Sequence, residues 1–318
     1  MEKQSTIERI TTGSREEWLE LRKRYIGGSD AGAVAGMNPY SGAYAVWLEK
    51  TGRAQGFEGN LRTEVGSYLE DFVAKQFERQ TGKTTRNVNQ TLVNSLYPWA
   101  CADIDRRIVG ENAILECKTT NSLPAMRLFG KNEYPGQWYC QMVHYLAVTG
   151  AEKAYLAVLI GGADFRIFEL QRDDSEIEAL MRIEENFWQH VTDDTPPEAM
   201  AADADAVSEY LGKADTVADT PIDLTPDLGL LQEYAQTKAQ ADEWSKKLDE
   251  LKARICVALG EYETGTAEGF KVSWKPQGRQ TFDAKAFAKD NPTVDLKPWY
   301  RESRSRRFSF TAAKTAEL

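Results

Sequence analysis

The stretch NAILECKTT, Asn112 to Thr120, constrains the fold of this chain more than any other. Its apolar part predicts a strand entering a core, and Glu116 and Lys118 stand at the end of that strand. Residues two apart on a strand project from one face. Ile114, Glu116 and Lys118 therefore share a face, while Ala113, Leu115 and Cys117 share the other and pack inward. A carboxylate and an amine so close to a core are costly unless they are paired or put to use.

The preceding WACADIDRRIV predicts a strand of its own, with Gly110 and Glu111 as the hairpin turn into the next. Pairing of the two brings Asp105 beside Glu116 near one sheet edge, with Asp103 on the same face. Two carboxylates ~4 Å apart repel by ~4 kcal/mol at an effective dielectric of about 20. Protonation of one, a neutralising lysine or a divalent cation between them would relieve this. An all-oxygen site suits Mg²⁺ or Mn²⁺, and the backbone carbonyl of Cys117 offers a further oxygen. Lys118 could then orient an attacking water and stabilise charge growing on a phosphate. That is the outline of metal-dependent phosphodiester hydrolysis. On an exposed strand the same residues would be a solvated ion pair and nothing more.

The surrounding elements follow from periodicity and caps. Residues 14–24 predict a short helix, with Ser14 as N-cap and Glu17 completing a capping box. IGGSDAGAVAG reads as a glycine-rich turn opening another helix. Val65, Leu69, Phe72, Val73 and Phe77 recur at helical spacing over Glu64–Thr81, and Gly82 stops that helix. TLVNSL is a strand, residues 136–149 a buried helix, KAYLAVLIGG and DFRIFEL a hairpin around Gly161–Asp164, and residues 174–190 a helix of mixed polarity. This order predicts an α/β fold with a mixed central sheet flanked by helices. Residues 192–225, rich in Asp, Ala, Thr and Pro, read as an acidic linker with a short helix near Ala206–Leu211. Residues 226–260 read as a long polar helix or helical hairpin striped by Leu231, Tyr234, Leu248, Leu251, Ile255 and Leu259, and FKVSWKPQGRQTFD as a β-hairpin before a basic, aromatic tail. Three segments result: a domain over 1–191, a linker over 192–225, and a helical and β-rich appendage over 226–318.

Composition excludes several chemistries. The four cysteines, Cys101, Cys117, Cys140 and Cys256, form no C-x-x-C pair and read as reduced thiols, most of them buried. The two histidines, His144 and His190, argue against a histidine-built zinc centre. No run of eighteen apolar residues suggests a membrane span, and MEKQSTIERITTG lacks the apolar segment of a secretory signal, so the expected location is a cytoplasm. The net charge of −10 speaks against a nucleic-acid partner only as a sum, because acidic residues crowd 193–227 while Arg22–Arg24 and Lys297–Arg307 are basic.

Asp105 followed by Glu116-x-Lys118 is the signature of the restriction-endonuclease-like nuclease superfamily. Within it the chain resembles the lambda-exonuclease/YqaJ-type phage recombinase family. WLELRKRYIGGSD carries Trp18, Arg22 and Ser29, GSYLED carries Glu70, ACADIDRRIVGENAILECKTT carries Asp105, Glu116 and Lys118, and CQMVHYLAVTG carries Gln141. The resemblance covers residues 18 to about 170 and implies a restriction-endonuclease-like fold. It implies that Asp105 and Glu116 bind metal, that Glu70 holds a second ion or its water, and that Lys118 positions the nucleophilic water, steadied by Gln141. It assigns Arg22 and Ser29 to the 5′-phosphate of a DNA end. A guanidinium fork and the Gly27–Gly28–Ser29 turn at a helix start suit that task on physical grounds too. The family's aspartate follows a phosphate-contacting serine two residues earlier, and here Asp103 stands in that place. His144, on one helical face with Gln137 and Gln141, is read as structural.

The implied activity is Mg²⁺-dependent 5′-to-3′ digestion of double-stranded DNA ends, leaving 3′ overhangs for phage-type recombination in a bacterial or prophage setting. A ring-like homotrimer and a single-strand annealing partner are implied with it. The alternatives are a DNA-end-binding module without turnover and an endonuclease of the same superfamily. In the C-terminal region, basic residues interleave with aromatics as on nucleic-acid surfaces. Arg301, Arg304, Arg306 and Arg307 are weaker DNA-binding candidates, whereas Phe270, Trp274 and Phe282 read as the core of a small β-rich cap.

Overall fold

Where apolar runs alternate with capped helical segments, the described residues build a four-stranded and a five-stranded sheet with covering helices, and a separate two-stranded hairpin. The computed structural model describes residues 5–54, 59–212, 220–278, 282–291, 293, 294 and 299. The chain divides into two units, Met1–Ala214 and Asp215–Leu318.

The first unit begins with β1 (Ile7–Ile10), α1 (Arg15–Arg22), β2 (Ile26–Gly27), α2 (Gly28–Val34), α3 (Ala43–Lys50) and α4 (Leu61–Thr81). There follow β3 (Thr85–Asn87), β4 (Thr91–Asn94), β5 (Ala100–Ala102), β6 (Arg106–Ile108) and β7 (Ala113–Thr120). Then come α5 (Leu123–Phe129), α6 (Gly136–Thr149), β8 (Lys153–Ile160), β9 (Asp164–Gln171), α7 (Asp174–Thr192) and α8 (Ala204–Gly212). One sheet has the order β1-β4-β5-β2 and the other β3-β6-β7-β8-β9. The second is mixed: β6 and β8 flank β7, antiparallel and parallel respectively. The expected mixed central sheet flanked by helices is therefore present.

Local chemistry explains the main elements. The Ser14 hydroxyl accepts from the Glu17 backbone N–H at 3.2 Å to cap α1, and the Glu17 carboxylate reaches back to the Gly13 N–H at 2.7 Å. Helix α4 starts one turn earlier than the apolar spacing suggests, where Asn60 and Thr63 cap each other's backbone N–H groups. Only part of its stripe enters the core: Val73 and Phe77 are fully buried, Leu69 partly, while Val65 and Phe72 face solvent.

Strand β7 is covered on both faces. Ile114, Leu156 and Val158 pack with Met142 and Leu146 of α6 and Ile177 and Leu180 of α7. Ala113, Leu115, Tyr155 and Ala157 pack with Val73 and Phe77 of α4. The expected alternation holds, but both faces are interior, as is usual where parallel strands are flanked by helices. A third cluster joins Ile26, Trp47, Leu48 and Phe187. Helices α2 and α6 meet closely, since a Cβ at Gly32 would come within 2.7 Å of the Gln137 backbone.

WACADIDRRIV is two strands rather than one. Strand β5 pairs with β4 and β2, β6 pairs with β3 and β7, and the chain crosses between sheets over residues 103–105. Residues 192–225 include a 3₁₀ turn at Ala201–Asp203 and α8. The fully buried Asp203 accepts from the backbone N–H groups of Gly42 and Ala45 and so caps α3.

The second unit holds α9 (Leu228–Leu259), β10 (Thr264–Ala267), β11 (Phe270–Ser273) and α10 (Ala284–Asp290). Residues 226–260 contain one helix of 32 residues, Leu228–Leu259, not a helical hairpin. The β-hairpin lies one strand earlier than expected, β10 with β11. Phe270, Trp274 and Phe282 are exposed rather than forming a cap core, because a two-stranded hairpin has no second layer to bury them. Arg301, Arg304, Arg306 and Arg307 lie outside the described residues. Among the described residues no helix is long and apolar enough to cross a membrane.

Candidate active site

The switch of sheets at residues 103–105 creates the site. Strand β6 starts only at Arg106, opposite Leu115, so β7 continues past Leu115 with no β6 backbone beside it. The Asp105 side chain fills that position, its Oδ2 accepting from the Cys117 N–H at 2.7 Å. A residue's N–H and C=O point to the same side of a strand, so the Cys117 carbonyl also faces this gap. The place is not a sheet edge, because β7 is the central strand of five. It is a notch where a neighbouring strand begins late.

Glu116 is 4% exposed, which rules out a solvated surface pair. Its Oε1 accepts from Lys118 Nζ at 2.6 Å and from Gln141 Nε2 at 2.8 Å. Its Oε2 is buried without a hydrogen-bond partner. Burial first, and repulsion by Glu116 and Glu70 next, push the Asp105 carboxyl well above the usual carboxylate range. Burial also raises Glu116, against the pull of Lys118. Burial opposes the Lys118 ammonium, but Glu116 and Asp105 outweigh it and hold the amine charged beyond its ordinary range.

The orphaned Glu116 oxygen, the raised carboxyls and an all-oxygen donor set of Asp105, Glu116 and the Cys117 carbonyl fit a hard divalent cation. Mg²⁺ takes one or two carboxylates and keeps several waters. Among the described residues no group of three or more His, Cys, Asp or Glu is placed to hold a metal ion. Glu70, the expected third carboxylate, is turned onto Arg106, which also holds Asp71 at 2.5 Å and the Asp105 carbonyl at 2.7 Å. An open groove of ≈ 420 Å³ lined by Trp18, Glu70, Asp71, Asp103, Asp105 and Arg106 leads to this point.

Gln141 holds Glu116 and not Lys118; its Nε2 also donates to the Tyr145 hydroxyl at 3.1 Å, which donates to the Asp103 carbonyl at 2.8 Å. His144 is fully buried, bridging Glu184 and the Cys101 carbonyl at 2.8 Å each, so it pins α6 to α7 and β5 away from the site.

Arg22 and Ser29 come together, with the guanidinium donating to the Ser29 hydroxyl and to Asp30 at 3.0 Å each. They open onto a different groove from Asp105, one that also holds Glu49 and Arg53. Asp30 is shared: Lys50 Nζ, with a fully buried side chain, approaches it at 2.6 Å, and the Gly27 N–H spends itself on it at 3.0 Å. Two cations, Arg22 and Lys50, share the one carboxylate of Asp30, and Glu49 lines the same groove. Burial disfavours the Arg22 charge, but Asp30, Glu49 and Asp103 more than compensate, and the guanidinium lies over the Trp18 ring at 5.1 Å. Both oxygens of Asp103 are engaged, accepting from Trp18 Nε1 at 3.2 Å and the Thr91 hydroxyl at 2.6 Å.

Lys50, Arg106 and Tyr145 were missed from the sequence. Lys50 sits in AVWLEK, where a cation ending an apolar helix was the available signal. Arg106 stood beside Asp105 and looked like an ordinary strand residue.

The model of the YqaJ-like viral recombinase domain matches residues 17–152. The chain is 37% identical over 302 residues to the YqaJ protein of Bacillus subtilis (strain 168), with 93% of each covered. Among solved structures, an alkaline exonuclease from Laribacter hongkongensis superposes with a TM-score of 0.47 at 16% identity, covering 56% of this chain and 93% of that one. A phage related exonuclease from Haemophilus somnus 129PT gives 0.43 at 13%, covering 56% and 99%.

Proposed function

The chain belongs to the YqaJ-like viral recombinase family, and on that premise we propose that it is a metal-dependent exonuclease. It would degrade one strand of duplex DNA from a 5′ end and leave 3′ overhangs for recombination. The observation that carries this reading is the buried Glu116, with one oxygen unpartnered and the other on Lys118, beside an Asp105 that replaces a missing strand. A stable core has no reason to keep that arrangement unless the charges are used.

Asp105, Glu116 and the Cys117 carbonyl would hold Mg²⁺, or Mn²⁺ in its place, and Glu70 would join a second ion by leaving Arg106. The bound ion would offset the carboxylate repulsion and supply Lewis acidity toward phosphate oxygens. The other tasks belong to side chains. Hydrolysis adds water oxygen to phosphorus and a proton to the leaving sugar oxygen. Lys118, 2.6 Å from Glu116, would donate hydrogen bonds to the attacking water and to the phosphate oxygens. Gln141, fixed by Tyr145, holds Glu116 Oε1 and leaves Oε2 without a hydrogen-bond partner. The Arg22 guanidinium and the Ser29 hydroxyl, which lie 3.0 Å apart, would hold a terminal 5′-phosphate. By the same reading the nuclease unit works as a ring-like trimer, with an annealing protein as its partner in a bacterial cytoplasm.

The test is digestion of linear duplex with 5′-phosphate or 5′-hydroxyl ends, alongside closed-circular duplex. The wild type should consume only the linear forms and prefer the phosphorylated one. Arg22→Ala should lose that preference by roughly tenfold, the worth of one charge-assisted contact. Cutting of the circle would indicate an endonuclease, and binding without cutting an end-binding module. Equal loss on both ends would make Arg22 a general backbone contact.

A further inference from the structure

Among the described residues, helix α9 carries a seam that is exposed along its length. Leu230, Tyr234, Thr237, Ala241, Trp244, Leu248, Leu251, Ile255 and Ala258 are spaced alternately four and three apart, and all nine are exposed. That is the a/d pattern of a coiled coil sustained over four heptads, ~42 Å at 1.5 Å per residue. Among these, Leu230, Trp244 and Leu248 are each at least 65% exposed. A helix with such a seam and charged flanks needs a facing helix.

We propose that α9 pairs with α9 of a second copy of this chain, antiparallel. Reversing one helix sets each a position against a d position. In the register that centres the contact between Ala241 and Trp244, the layers become Leu230 with Ile255, Tyr234 with Leu251, Thr237 with Leu248, and Ala241 with Trp244. Within these layers Thr237 and Ala241 each meet a large residue, so the paired span fills without voids or overpacking. The flanking g positions then place Glu233 against Arg254 and Gln240 against Lys247, each twice by symmetry. The e positions bring Leu231 to Lys252 and Lys238 to Ser245, with no like charges opposed.

The competing arrangements fit worse. A parallel pair stacks Ala241 on Ala241 next to Trp244 on Trp244, and sets Lys247 against Lys252. The antiparallel register one heptad away sets Trp244 against Leu248 and Lys247 against itself. Size and charge thus agree on one partner and one register.

Sedimentation of the full chain tests this without reference to DNA or metal. Leu248→Asp should halve the wild-type mass. Glu233→Arg and Arg254→Glu should each weaken self-association by roughly tenfold, because two attractive contacts become repulsive. The double variant, Glu233→Arg with Arg254→Glu, should restore it. A mass unchanged by Leu248→Asp overturns the pairing. A double variant no tighter than the single ones overturns the antiparallel register.

Discussion

Lys118→Ala is expected to reduce hydrolysis of linear duplex by roughly 10³-fold, the usual loss when a preorganised charge on the reacting phosphate is removed. Lys118 sits 2.6 Å from Glu116 and is held above its ordinary range by two carboxylates. It is therefore a fixed positive charge whose removal costs little packing, since the side chain is part exposed. Mg²⁺ binding should survive, because Asp105, Glu116 and the Cys117 carbonyl are retained. Isothermal titration with Mg²⁺ and a nuclease time course separate the two effects. Turnover at the wild-type rate would remove Lys118 from the chemistry.

Asp105→Asn is expected to cost activity by at least about 10²-fold and, without metal, to make the protein more stable. The amide oxygen can still accept from the Cys117 N–H, while the repulsion with Glu116 and Glu70 disappears. The pH dependence fixes the sign. A carboxyl with a raised folded pKa binds more protons in the folded than in the unfolded state, so its contribution to stability falls as pH rises from the unfolded value. In EDTA, the stability advantage of Asp105→Asn should thus grow from about pH 4 upward, reaching a few degrees in Tm near neutrality. Mg²⁺ should raise the wild-type Tm and leave the variant nearly unmoved. A variant less stable than the wild type in EDTA at neutral pH would mean that Asp105 serves the fold rather than the site.

Local patterns made much of the site legible. The apolar run over residues 136–149 marked the helix that carries Gln141, and the face shared by Ile114, Glu116 and Lys118 followed from strand geometry alone. The notch was not legible, because Trp99–Val109 is apolar enough to read as one strand. Its division depends on β2 and β3, partners far away in the chain. The same is true of Lys50, which matters only because it meets Asp30 from another helix. Strand β1 was missed for a related reason: four residues of mixed polarity become a strand only by pairing with β4, more than eighty residues on. In the second unit, the expected stripe of Leu231, Tyr234, Leu248, Leu251, Ile255 and Leu259 lies on the single helix α9, where Leu259 is buried and Tyr234, Leu248, Leu251 and Ile255 are exposed.

The measurement that bears most directly on the nuclease centre is a time course on linear duplex DNA labelled at each end in turn, with Mg²⁺ and with EDTA. With Mg²⁺ the 5′ label should be released first and the 3′-labelled strand shortened progressively from its far end, and with EDTA neither should change. Intact labels under both conditions, or loss that ignores Mg²⁺, would contradict a cation held by Asp105 and Glu116 beside Lys118.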